Sequence, residues 1–301
     1  MSLHKTAVIG LGAMGMGMAK SAHAAGLQTV GTDIDPSAME TLAATGAKVA
    51  ETPAKAAAEA DSLAVVVVNA AQTEAVLFGD DGAADALPEG AVVLGCATVP
   101  ADTCRQIAVR VEACGLYYLD APISGGAAKA ASGELTVMAS GASAAFDQAK
   151  PFLNATSETV FDLGRDAGQG STMKMVNQLL AGVHIATAME AVALGLKAGL
   201  DAQSIYDVIT QAAGNSWMFG NRVPRVIAGN YQPKSTGGIF TKDLGIVLSE
   251  AERLGMDLPL ATAALTRYQA AADMGLKGED DAAVIKVYAE AAGIDLPEPN
   301  A

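Results

Sequence analysis

Lys174, Asn177 and Gln178 stand at positions i, i+3 and i+4 of one helical stretch, so an amine and two amides share a helix face. That set suits proton transfer at a hydroxyl. The amides would orient the oxygen while the lysine nitrogen exchanges its proton, and burial beside a cationic ring would bring the lysine pKa down into a working range. The alternative is a solvated polar face, which most helix lysines occupy. Histidine offers little competition as a base. Only three are present: His4 ahead of the first strand, His23 inside the first helix, and His184, roughly 80° off the Lys174 face and better placed for a core or interface.

Two loops could hold the reactants. Gly10-Leu11-Gly12-Ala13-Met14-Gly15 is a GxGxxG between the first strand and the first helix. Gly10 permits the tight turn, Gly12 lets a pyrophosphate reach the backbone, and Gly15 lets helix and strand pack closely, with the helix N-terminus facing the phosphates. Asp33 ends the second strand 18 residues after Gly15. A carboxylate there can accept from a ribose 2′-hydroxyl and repels a 2′-phosphate, which favours NAD over NADP, although Asp35 could compete for the role. A turn that uses glycine for steric reasons alone is the other reading. The second loop, Asp120-Ala121-Pro122-Ile123-Ser124-Gly125-Gly126, follows a later strand. Ser124 supplies a hydroxyl, and Gly125 and Gly126 could turn bare backbone N–H groups toward a small anion; a Pro-Gly turn needing positive φ explains the same residues.

The elements that must position these groups alternate through the first half. Strand patterns at Thr6–Ile9, Gln28–Thr32, Leu63–Val68, Ala91–Leu94 and Leu116–Leu119 are separated by helical patterns, including Pro36–Thr45 and Ala101–Cys114. Strands spaced by helices imply βαβ units and a parallel sheet, and the β-branched run from Leu63 implies a strand buried on both faces. Leu135–Ala139 and Thr159–Leu163 read as the last strands. From Ser171 to Ala198 no proline interrupts what reads as one helix about 40 Å long, and the patterns at 201–213, 241–254, 260–274 and 282–292 are helical. The expected architecture is α/β: a doubly wound, Rossmann-type domain over residues 1–164, then an all-α substrate and oligomerisation domain over 165–301, joined by a long interdomain helix.

Composition narrows the function classes. The 301 residues carry a net charge of −14, which argues against nucleic acid, whose binding requires many lysine and arginine contacts to phosphate. The three cysteines, Cys96, Cys104 and Cys114, show no zinc-like spacing, so no metal site is expected and a reducing cytoplasm fits. The residues from Met1 run directly into a strand pattern without a signal-peptide core. The longest strongly apolar run is too short for a membrane span, which needs about 18 or more residues.

Taken together, these motifs resemble the β-hydroxyacid dehydrogenase family, the relatives of 3-hydroxyisobutyrate dehydrogenase, over nearly the whole chain. GLGAMG matches the family's cofactor loop, DAPISGGAAKAASG from Asp120 its substrate loop, GQGSTMKMVNQ from Gly168 its catalytic helix, and Lys242-Asp243-Leu244 its second-domain signature. The resemblance implies Lys174 as general acid/base, and Ser124, Gly125, Gly126 and Asn177 as contacts to a small carboxylate substrate, with Gln178 beside them. It implies Val68, Asn69, Thr98 and Lys242 as cofactor contacts. The implied chemistry is hydride transfer between a hydroxy-acid carbon and nicotinamide. Finer stretches, including Asn177–Ala186, Ala212–Phe219 with the sole tryptophan Trp217, and Glu279–Tyr288, resemble the branch that oxidises four-carbon sugar acids at C2. Two departures stand out: Gln178 replaces the second asparagine common in the family, and Gly238 stands where an acidic residue is expected. Rival substrates are 3-hydroxyisobutyrate and, in the reducing direction, tartronate semialdehyde. Imine reduction on the same fold typically replaces the helix lysine, and a non-catalytic nucleotide-binding module would not need it. The family forms homodimers and homotetramers.

Overall fold

The computed structural model describes residues 4–299, so the reading of Met1–Leu3 as free of a leader lies outside the described residues. The chain divides into two compact units, residues 1–174 and 175–301.

The first unit opens with β1 (Lys5–Ile9), α1 (Ala13–Ala24), β2 (Gln28–Thr32), α2 (Pro36–Ala43), β3 (Lys48–Val49), α3 (Pro53–Ala57), β4 (Ser62–Val65), α4 (Ala70–Phe78), β5 (Val92–Gly95), α5 (Ala101–Ala113) and β6 (Tyr117–Asp120). Six strands form one sheet in the order β3-β2-β1-β4-β5-β6, and every neighbouring pair is parallel. This is the doubly wound order, with its switch point between β1 and β4. Residues alternate between the two covered faces: Ala64, Val92 and Leu94 join one apolar cluster with α1, while Leu63, Val65 and Val93 join another with α5. The central strands are accordingly apolar throughout rather than alternating.

Three features depart from the sequence reading. The apolar run beginning at Leu63 does not stay a strand to Val68: β4 stops at Val65, Val66 crowds the glycine loop, and Val68 is 55% exposed. The later strands do not extend the main sheet. They make a second, three-stranded sheet from β7 (Ile123–Ser124), β8 (Leu135–Ala139) and β9 (Ser157–Asp162), interleaved with α6 (Gly126–Ser132) and α7 (Ser143–Thr156). β7 and β8 are antiparallel, and an isolated bridge between Asp120 and Ser140 carries their register back to the end of β6. Short elements such as β3 and α3 carry too few residues for a periodic signal.

α8 (Gln169–Lys197) passes from the first unit into the second. By length and composition it could cross a membrane, although its apolar residues are interspersed with polar ones rather than joined in one run. Ile185, Met189 and Val192 nevertheless lie fully buried in the second unit's core. That core is completed by α9 (Ala202–Ile209), α10 (Trp217–Ile227), α11 (Gly237–Arg253), α12 (Pro259–Asp273) and α13 (Ile285–Ala292). Pro224 inside α10 hides that helix from a sequence reading.

The second unit is pinned by a buried ionic cluster. Arg222 Nε and Nη2 donate to the two oxygens of Asp281 at 2.6 and 2.8 Å, and Arg225 pairs with Asp280, which also accepts from Lys234 N–H at 3.0 Å. Removing one partner of a buried pair strands the other charge, so Asp281→Ala should lower unfolding free energy by about 3–5 kcal/mol, read from denaturant melts. Burial raises the Asp280 carboxyl, but Arg225 and the backbone N–H donors outweigh it and hold it below its ordinary value. The stability this carboxyl contributes is therefore full above its unfolded pKa and lost as pH falls through the folded one. Unfolding midpoints should drop on acidification from about pH 6 to about pH 3, and drop less in Asp280→Asn.

Candidate active site

The loops that follow β1, β2, β4, β5 and β6 all leave the carboxyl edge of the main sheet, where ligands bind in doubly wound folds. Four of them carry residues marked by the sequence for a cofactor.

Gly10 has φ +91, a conformation that favours glycine, and an added Cβ would lie 2.6 Å from the Val66 carbonyl oxygen. A Cβ on Gly15 would fall 1.8 Å from the Gly10 oxygen, so this glycine is required for α1 to rest on β1. Gly12 is different. Nothing lies within 4 Å of its would-be Cβ, and as the residue capping α1 it offers no side chain to the first-turn N–H groups. Ala13 is exposed and Met14 half-buried beside it, whereas the Leu11 side chain is buried in the core.

Asp33 is tied to that loop: one oxygen accepts from Leu11 N–H at 2.5 Å and the other from Asp35 N–H at 2.9 Å. Asp35 caps α2, accepting from Ser37 N–H at 2.9 Å. Asn69 caps α4 by accepting from Gln72 N–H, and Gln72 in turn accepts from Val68 N–H, both at 2.9 Å. Thr98 is half-buried in the loop between β5 and α5.

The β6 exit loop forms the second part. Gly125 and Gly126 both have positive φ, +137 and +78, and Ser124 is half-buried at the end of β7. Lys174 is buried, and its Nζ donates to the Ile123 carbonyl at 2.8 Å, next to Ser124. The solvated-face reading of this lysine therefore fails.

The second unit has a polar cluster of its own. Asn177 Nδ2 donates to Gln178 Oε1 at 2.9 Å, Gln178 Nε2 donates to Asp243 at 2.5 Å, and Lys242 pairs with the other oxygen of the same carboxylate. Gln178 and Asp243 are buried. Gly238 is the second residue of α11 with the Lys277 stem against it, 3.0 Å from a would-be Cβ, and Trp217 is exposed at the first turn of α10.

Comparison with known proteins follows the same division. Residues 5–164 match the NAD-binding domain of 6-phosphogluconate dehydrogenase, and residues 168–288 match the NAD-binding domain of NADP-dependent 3-hydroxyisobutyrate dehydrogenase. An L-threonate dehydrogenase of Haemophilus influenzae is 48% identical, over 99% of this chain and 98% of its own length. Another, from Cupriavidus necator, is 49% identical over 96% and 97%. The crystal structure of a 3-hydroxyisobutyrate dehydrogenase from Salmonella typhimurium superposes with a TM-score of 0.91 at 47% identity, covering 94% of this chain and 99% of that one. The chain belongs to the β-hydroxyacid dehydrogenase family. It is an oxidoreductase that uses a nicotinamide dinucleotide.

The glycine loop of this dehydrogenase fits that cofactor on steric grounds. Gly10 and Gly15 are consumed by the packing of β1, α1 and Val66, while Gly12 alone leaves an open cradle at an uncapped helix N-terminus, where a pyrophosphate can reach backbone N–H groups. The sequence motifs quote Asp120 and Asp243 without singling them out, and Ser171 likewise. Asp120 ends β6 fully buried, accepting from the N–H of Gly168 at 2.9 Å and of Ser171 at 2.8 Å, and from the Ser171 hydroxyl at 2.8 Å. Burial pushes its carboxyl above the ordinary value, offset in part by those donors. The one available signal for Asp120 was an ionisable residue at the end of an apolar strand. The buried Cys96 and Cys104 thiols are pushed up to about 12 by burial and are not nucleophiles. A cavity of about 520 Å³ lies at the opposite, amino edge of the sheet, lined by Lys5, His23, Lys48 and Lys55 among others. Lys5 is paired with Glu59 and Lys55 with Glu51, away from the groups described above.

The two glycines give a sharp contrast. Gly12→Ala should fold with an unchanged Tm yet weaken dinucleotide binding by about tenfold or more, the loss of one charge-assisted contact. Gly15→Ala should lower stability by about 1–3 kcal/mol through overpacking. Thermal melts and NAD titration of both variants separate these outcomes.

Proposed function

We propose that this enzyme oxidises L-threonate at C2 to the 2-oxo acid, with NAD as acceptor and Lys174 as the general base. Support for the substrate is the pair of L-threonate dehydrogenases 48% and 49% identical over almost the whole chain, together with the intact Lys174 helix and Ser124-Gly125-Gly126 loop. The observation that carries the mechanism is the burial of Lys174, whose nitrogen is directed at the β6 exit loop rather than at solvent.

In this reading the bound nicotinamide supplies the hydride acceptor. Gly12 and the α1 N-terminus hold the pyrophosphate; Val68, Asn69, Thr98 and Lys242 complete the cofactor contacts. Ser124 and the backbone of Gly125 and Gly126 bind the substrate carboxylate, and the amides of Asn177 and Gln178 orient the hydroxyl. Lys174, as a neutral amine, takes the hydroxyl proton while the C2–H bond breaks and C2=O forms, leaving an ammonium to be deprotonated before the next turnover. NAD is favoured because β2 is followed by Asp33, the fully exposed Ile34 and then Asp35, a stretch with no basic residue to receive a 2′-phosphate.

The reading also includes a homo-oligomer in the cytoplasm. Val176, Leu180 and Leu194 lie along one side of α8 and are 48%, 48% and 72% exposed, which leaves apolar surface for a second copy. The three cysteines are free, as a reducing compartment requires.

Purified enzyme should form NADH from L-threonate and NAD with a higher kcat/KM than with 3-hydroxyisobutyrate, and than tartronate semialdehyde gives with NADH; the opposite ranking reassigns the substrate. Lys174→Ala should lower kcat by about 10²–10⁴-fold while NAD still binds. Near-full turnover in that variant would remove Lys174 from its role. Asp33→Ala should cut the NAD-over-NADP preference by about tenfold or more, the worth of one charged hydrogen bond.

A further inference from the structure

Asp120 and Ile123, three residues apart, meet Ser171 and Lys174, three residues apart on the first turns of α8. Ser171 donates its hydroxyl to one Asp120 oxygen and its N–H to the other, both at 2.8 Å, and Lys174 donates to the Ile123 carbonyl at 2.8 Å. One turn of helix is thus held at two points by one short strand.

That strand is itself rigid. Asp120 exchanges backbone hydrogen bonds with Ser140 at 3.0 and 2.9 Å, Met138 N–H donates to the Pro122 carbonyl at 2.9 Å, and Ile123 and Ser124 pair with Val137 and Thr136. All these pairs belong to one antiparallel register along residues 120–124, so the two anchor points cannot shift independently. Ser140 adds a third tie, with its Oγ accepting from Gly170 N–H at 3.0 Å and donating to Asp120 at 3.3 Å. The backbones approach so closely that a Cβ on Gly170 would lie 2.3 Å from the Met138 oxygen and 2.8 Å from the Asp120 oxygen.

Electrostatics points the same way. Asp120 is 1% exposed, and its side chain accepts from backbone N–H groups at the α8 N-terminus, from the Ser140 and Ser171 hydroxyls and from the Cys104 thiol. A buried carboxylate is costly, and here the positive end of the helix dipole offsets part of that cost. The attraction seats the helix start on the β6 exit loop, and the helix start carries Lys174.

We infer that Asp120, acting through Ser171, is a positioning residue that sets where the Lys174 nitrogen lies against the Ile123–Ser124 segment. This rests on the assignment of Lys174 as the base, but its physical content, a clamped amine, can be tested without turnover.

The test uses full-length Asp120→Asn, Ser171→Ala and Ser171→Thr. Asparagine removes the charge that faces the helix N-terminus and replaces the oxygen that accepts from the Ser171 hydroxyl with an amide donor, leaving one acceptor oxygen for the Gly168 and Ser171 N–H groups; alanine removes one hydroxyl and keeps the backbone contacts; threonine restores the hydroxyl. Without substrate, the acylation rate of Lys174 by an amine-reactive anhydride, read by peptide mass spectrometry against the other lysines, should rise about tenfold or more in Asp120→Asn, rise less in Ser171→Ala, and return to the wild-type rate in Ser171→Thr. With substrate, kcat should fall in the same order while the KM for NAD stays within about twofold. Should Asp120→Asn fail to fold, the alanine and threonine pair carries the test alone. Equal Lys174 reactivity in wild type and both serine variants would overturn the clamp, whatever the substrate proves to be. Altered reactivity with unaltered kcat would leave the clamp standing and count against Lys174 as the base.

Discussion

The hydrogen bond from Lys174 Nζ to the Ile123 carbonyl is the contact on which the functional account depends. An ammonium on a helix surface gains most by remaining hydrated. Lys174 is instead buried and spends a donor on a backbone oxygen at the carboxyl edge of the parallel sheet. A long flexible side chain loses rotamer freedom in that state. An amine held in this manner is suited to exchanging a proton with a bound alcohol rather than with bulk water.

The rest of the first unit explains why a carbonyl is available there. The doubly wound order directs the β1, β4, β5 and β6 loops to one edge, and the small sheet built on β8 stiffens the β6 exit into a strand that can serve as an anchor. Close packing at Gly10 and Gly15 seats α1, leaving Gly12 as the open position of the glycine loop. Steric necessity and ligand access are therefore divided among glycines that look equivalent in the motif. In the second unit, the buried carboxylate of Asp243 plays a comparable organising part, holding Gln178 and Lys242 from its two oxygens.

Much of this was legible in the sequence for local reasons. A strand buried on both faces declares itself by β-branched content, and the glycine spacing declares a tight strand-to-helix turn, so the parallel sheet and the loop motif could be read directly. Spacing likewise placed Lys174, Asn177 and Gln178 on one helix face. What spacing could not decide was whether that face is wet, because the answer lies with a carbonyl 51 positions away. Asp120 was obscure for the same reason: its partners, Gly168 and Ser171, are distant in sequence. Asp33 and Asp35 look equivalent in the sequence, whereas in the fold Asp33 accepts from the Leu11 N–H of the glycine loop and Asp35 caps α2. The run from Leu63 to Val68 misled because apolar β-branched residues suit both a central strand and the loop wall that packs on Gly10 and Gly15, and composition does not separate the two.

A crystal structure of the full-length enzyme with NAD and a non-reacting hydroxy-acid analogue is the most direct measure of the central claim. The account requires the Lys174 nitrogen within hydrogen-bonding reach of the analogue's C2 hydroxyl, about 2.6–3.2 Å, with the carboxylate against Ser124 to Gly126. A hydroxyl held by some other group, with Lys174 still closed on Ile123 and remote from it, would contradict it.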